Sequence, residues 1–174
     1  MTNENDQIKK NSEESRIWKI LEEVKDPEVP VLSVIDLGII REVKVSTSAE
    51  QGISIVLTPT YSGCPALDMI NMDIRLKLME KGYRKVTIQQ SLSPAWTTDW
   101  MTESGKKKLR EYGIAPPNPK QQFCKQEMFM QEVVQCPKCN SYHTELISEF
   151  GSTACKAVYR CLDCKEPFDY FKCH

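Results

Sequence analysis

The chain has 174 residues, eight of them cysteine, with 40% hydrophobic and 27% charged residues and a formal net charge of −1. That mixture supports a packed core and excludes wholesale disorder, and the near-neutral balance gives no general attraction to nucleic acid or to an anionic membrane. The opening MTNENDQIKKNSEESR is polar, without the apolar segment of a signal peptide, and no run of about 18 apolar residues is present to span a bilayer, so a cytoplasmic protein is expected. In that compartment thiols serve as metal ligands or reactive groups rather than as disulfides.

The first dozen residues read as a tail. Ser12, followed by Glu13 and Glu14, suits a helix start, because the carboxylates meet the positive end of the helix dipole. Ile17, Ile20, Leu21 and Val24 recur at helical spacing until Asp26-Pro27 closes the helix. DPEVPVLSVIDLGII is a looped approach to a strand, IREVKVS, whose alternation is only partly regular. TSAEQG turns the chain into a second strand, ISIVLTPT, making a hairpin. From Pro65 to Lys81 the apolar stripe Leu67, Ile70, Ile74 and Leu78 predicts a helix, with Gly82 as its stop. KVTIQQSL gives a third strand, PAWTTDWM an aromatic loop, and TESGKKKLREYG a short solvated helix. The expected fold class is α/β: a compact α-β-β-α-β-α layer domain over residues 13–113. A Pro-rich linker over 114–132 then leads to a small all-β zinc ribbon over 133–174.

Two CxxC pairs carry the ribbon reading. Cys136 and Cys139 are two residues apart, as are Cys161 and Cys164, with 21 residues between the pairs. Each spacing lets a tight turn aim two sulfurs at one ion, and four thiolates complete a tetrahedron that Zn²⁺ accepts as a closed structural site. An iron–sulfur cluster is the alternative occupant of the same four ligands. A unit of about 40 residues needs such a staple, because its apolar core is small. From Cys136 onward five Lys or Arg balance five Asp or Glu, so no basic footprint for nucleic acid is present. Cys155 and Cys173 are candidate supporting ligands or a redox pair, or simply buried small side chains. Cys124 falls in the linker, and His143 and His174 are left out because four Cys fill the site.

Cys64 stands in a different setting. Gly63 before it allows a sharp turn, and Pro65 after it suits a first helical position, which puts the thiol at a helix N-cap. The dipole there should lower its pKa, as a nucleophile or a metal ligand requires. An inert small residue at a crowded cap is the competing reading. Asp26 and Asp36 lie in the preceding loop and could support a metal at Cys64, or serve ordinary turns. Both histidines lie in the tail, and no phosphate loop or nucleophile elbow is present, so a self-sufficient enzyme is not expected.

DPEVPVLSVIDLGIIR, TPTYSGCPA, SPAWTTDWMTE, LREYGIAPP and FGSTACKAVYRCLDCKEPFDYFKCH together resemble the PaaD family, D subunits of the bacterial phenylacetyl-CoA epoxidase system. The resemblance runs from about Ile17 to His174, and the first domain is similar to the wider metal–sulfur cluster assembly family that includes SufT. It implies an accessory maturation factor for iron–sulfur or di-iron centres in phenylacetate degradation, with Cys64 as a labile ligand for iron or a transient cluster and Asp36 within the family signature. It also implies the oxygenase and reductase subunits as partners. One thiolate cannot hold a cluster alone, so a homodimer presenting two Cys64 sulfurs is one expected source of a second ligand, and Cys155 with Cys173 another. The alternative is a non-catalytic structural or regulatory subunit carrying only structural zinc.

Overall fold

In the computed structural model, residues 4–46, 52–117 and 133–172 are described, with side chains from Ser12 onward. The TSAEQG turn (in part), most of the expected linker, Cys124, Cys173 and His174 lie outside them. Helix α1 runs Glu4–Leu21 and so begins well before Ser12. No Gly or Pro interrupts ENDQIKKN, and extending a helix needs far less than nucleating one, so Ser12 sits inside the helix rather than capping it. The helix ends before Asp26 because Glu23 and Val24 donate to the carbonyls of Ile20 and Leu21, three residues back, in tightened turns.

Strand β1 (Ile40–Val45) pairs antiparallel with β2 (Ile53–Leu57), and β3 (Val86–Gln90) joins β2 in parallel. Helix α2 (Ala66–Glu80) supplies the crossover that a parallel pair requires. The irregular alternation of β1 has a physical cause. Its register shifts between Ile40 and Glu42, a bulge that turns both Ile40 and Val43 inward. Strand β2 alternates cleanly, burying Ile53, Ile55 and Leu57. The predicted stripe Leu67, Ile70, Ile74 and Leu78 is buried on α2. Its end forms a Schellman cap: Gly82 at φ +95° donates to Met79 and Tyr83 to Leu78.

Two compact units divide between Trp96 and Thr97. Helix α3 (Glu103–Tyr112), expected at the end of the first domain, falls in the second unit. So does β4 (Ile114–Ala115), in the stretch read as linker. Ile114 and Ala115 keep their amides and extend the sheet by one short parallel edge before Pro116 and Pro117 end the pairing. With β5 (Thr144–Ser148), β6 (Lys156–Cys161) and β7 (Pro167–Phe171) the order is β4-β7-β6-β5. The core of this unit holds Val134, Ala157, Tyr159, Phe168 and Tyr170 together with the sulfurs of Cys136 and Cys161. Tyr159 stacks on Phe168 at 6.0 Å and meets Tyr170 edge-on at 5.6 Å, so EPFDYF supplies a sheet face and its packing.

Candidate functional site

The two CxxC turns share one backbone design. Asn140 and Lys165, each directly after the second Cys of its pair, take left-handed conformations at φ +65° and +64°. In the first turn Asn140 donates to the Cys136 carbonyl at 3.0 Å and Cys136 to the Ser141 carbonyl at 2.8 Å, while in the second Cys161 donates to the Glu166 carbonyl at 3.0 Å. Both turns therefore aim their sulfurs inward. The four Sγ atoms lie within 4.8 Å of one another, with Cys136–Cys164 at 3.8 Å and Cys139–Cys161 at 3.5 Å. Four sulfurs about 2.3 Å from a zinc ion make a tetrahedron with edges of about 3.8 Å. None of the described thiols is in a disulfide, and the donor set and its spacing fit that ion. Amides of Cys164 and Asp163 point at the Cys161 sulfur and hold its pKa down to about 6, so one thiolate is ready at neutral pH.

Groups that spacing did not reveal lock the two turns together. Asp163 of the second turn accepts from the Ser141 hydroxyl and lies 3.0 Å from His143 Nδ1, both after the first turn. These contacts, the Ser141 hydroxyl foremost, hold the Asp163 carboxyl below the usual carboxylate range. Lys138 reaches Glu166 at 2.6 Å. Cys155 is buried outside the sulfur cluster, 3.0 Å from the Thr153 hydroxyl.

Cys64 is half-buried at the tip between β2 and α2, with Gly63 at φ +84° making the turn. Pro65 has helical dihedrals (φ −68°, ψ −21°), and the Cys64 sulfur accepts from the Ala66 amide, as a capping side chain does. The expected low pKa is not found. Burial pushes the thiol up, Glu28 and Asp26 add to this as nearby negative charges, and the Ala66 amide and Tyr61 hydroxyl only partly offset it. Asp26 is thus beside Cys64 electrostatically, and its Oδ1 also accepts from Glu28 and Val29 at 2.8 and 2.7 Å. Asp36 closes a turn: its Oδ2 accepts from both the amide and the hydroxyl of Ser33 at 2.9 Å, and its own amide donates back to that hydroxyl. This closed turn belongs to the DLG segment, which Trp96 secures by donating from Nε1 to the Leu37 carbonyl at 2.9 Å. Glu28 and Tyr61 were missed; both sit inside the quoted motifs, DPE and TYSGCP, but only the fold brings them to Cys64.

Residues 14–89 match a family model described as an iron–sulfur cluster assembly protein, and residues 120–172 one described as a PaaD zinc β-ribbon domain. A candidate D subunit of the 1,2-phenylacetyl-CoA epoxidase of Escherichia coli (strain K12) is 51% identical over 157 residues, covering 90% of this chain and 91% of that protein. An Fe–S protein maturation auxiliary factor of Porphyromonas gingivalis (strain ATCC BAA-308 / W83) is 38% identical over 97 residues, 55% of this chain and 90% of that one. The crystal structure of a DUF59 domain from Bacillus anthracis superposes with a TM-score of 0.55 at 23% identity, covering 59% of this chain and 96% of that one, which supports the fold of the first unit. Likeness over nine-tenths of both chains, with the cluster-assembly domain and the ribbon in one order, settles the relationship: the chain belongs to the PaaD family.

Proposed function

We propose that this chain is an accessory maturation factor of a phenylacetyl-CoA epoxidase system, in which Cys64 is a transient ligand for iron or an iron–sulfur cluster passing to the oxygenase or reductase subunit. The observation that carries this reading is the setting of Cys64. A thiol raised by burial and by two carboxylates is a poor standing nucleophile, whereas an incoming cation would neutralise the charge that Asp26, Glu28 and a thiolate place together. The remaining ligands come from the client, since the only grouping of three or more ligating side chains among the described residues is in the ribbon. The ribbon's four thiols hold zinc as a folding staple, and the ribbon docks the client. Neither site performs the epoxidation, so the chain is not itself the enzyme.

The test is co-production of the oxygenase and reductase subunits with the wild-type chain or with Cys64→Ser. The variant is expected to stay folded and zinc-bound while iron per client subunit falls. Full iron loading with Cys64→Ser would overturn the proposal and favour a structural subunit.

A further inference from the structure

Helix α2 has two apolar faces. One is the buried stripe already described; the other is Met69, Met72, Leu76 and Met79, which are 58, 63, 48 and 57% exposed. The spacing of this second set, three, four and three residues, places all four on one line directly opposite the buried one. Such a helix is normally covered on both sides. We propose that a second copy of this chain covers it, in an antiparallel pairing of α2 with α2 about a two-fold axis at the level of Ile74 along the helix.

Two features of the helix select that occupant. First, the spacing of the stripe is the same in both directions about the level of Ile74. A two-fold axis there sets Met69 against the partner's Met79 and Met72 against the partner's Leu76, the self-complementarity that an isologous interface requires. Second, the exposed rim is balanced and charge-segregated. Asp68 and Asp73 precede Ile74, whereas Arg75, which also donates to the Val86 carbonyl, Lys77 and Lys81 follow it; Glu80 is the exception, and Lys77 is 3.7 Å from both Glu80 and Glu23 of its own chain. A rim without net charge does not call for a strongly acidic or basic partner. Running two copies in opposite directions sets the acidic half of each against the basic half of the other, with Asp73 at nearly the same level as the partner's Lys77. A parallel pairing would stack like charge on like, and would align rather than oppose the helix dipoles.

The pairing has a consequence for Cys64. Each Cys64 lies ten residues from Ile74, so at 1.5 Å per residue the two sulfurs stand about 30 Å apart along the helix axis. A dimer of this kind does not let two Cys64 share one cluster, and each copy offers its thiol independently. The pairing itself does not rest on the function proposed above.

The experiment is sedimentation of the zinc-loaded full chain at micromolar concentration, for wild type, Met72→Glu and Leu76→Lys. Wild type is expected as a dimer, with each substitution weakening its Kd by at least about tenfold while zinc content and the circular dichroism spectrum stay unchanged. In dimers mixed from ¹⁴N and ¹⁵N chains, a zero-length carbodiimide cross-link should join Asp73 of one copy to the partner's Lys77. A monomeric wild type, a dimer that tolerates both substitutions, or inter-copy links confined to like ends of α2 would overturn the pairing.

Discussion

Cys64 and the ribbon cysteines are the same residue type in opposite physical settings. In the ribbon, two like turns bring four sulfurs within 4.8 Å, and amides lower Cys161 to about 6 while Cys139 and Cys164, sharing the cluster with it, are pushed up. At Cys64 a single sulfur meets one amide, one hydroxyl and two carboxylates, and burial raises it. The ribbon carries its full ligand set, so it can keep a metal. Under the function proposed above, Cys64 supplies one ligand in an anionic setting and takes the others from a client.

The contrast breaks most readily at the ribbon. Cys161→Ser leaves three ligands, and structural zinc in small domains is worth on the order of 10–16 kcal/mol of apparent binding energy. Zinc per chain should fall towards zero, and hydrogen exchange should lose protection across β5–β7 while β1–β3 keep theirs. Loss of protection in both units would show that they do not fold separately.

A cavity in the first unit should do the reverse. Leu78→Ala, at a fully buried position of α2, should cost about 2–5 kcal/mol in denaturant unfolding of that unit and leave zinc content unchanged. Removing the Trp96 indole donor with Trp96→Phe should cost less, about 1–3 kcal/mol, because the Leu37 carbonyl loses its partner inside the core.

The pH response sharpens the comparison at Cys64 itself. A raised folded pKa keeps the thiol neutral further into the alkaline range. Iodoacetamide labelling of the Cys64 peptide, followed by mass spectrometry, should therefore be slow at neutral pH and reach its midpoint above that of an ordinary thiol. Glu28→Gln removes one negative neighbour and should move the midpoint down; a wild-type midpoint at or below the ordinary value would contradict the electrostatic account. The smallest effect is expected at Lys165, whose φ of +64° strains a residue with a Cβ. Lys165→Gly should raise resistance to chelator-induced unfolding by about 1 kcal/mol.

Most of the first unit was legible because its periodicity is strong. Ile53, Ile55 and Leu57 alternate, and Leu67, Ile70, Ile74 and Leu78 repeat at helical spacing, so burial follows from pattern. The early start of α1 was missed because a polar helix has no stripe to announce it, and β4 because two residues before a Pro pair carry no period. The sulfur cluster was legible because CxxC spacing is itself a geometric statement. The Cys64 pKa was not: the helix terminus is local and visible, whereas burial and the approach of Glu28 are properties of the fold. The second apolar face of α2 also stood in the sequence, but that it is exposed is a property of the fold.

The most direct test of this division of labour is metal analysis of protein purified without oxygen, as zinc, iron and sulfide per chain in wild type, Cys64→Ser and Cys161→Ser. The account predicts one zinc per chain in wild type and Cys64→Ser, lost in Cys161→Ser, with any iron confined to chains that keep Cys64. Iron and sulfide retained in Cys64→Ser but lost in Cys161→Ser would contradict it, by placing the working metal in the ribbon.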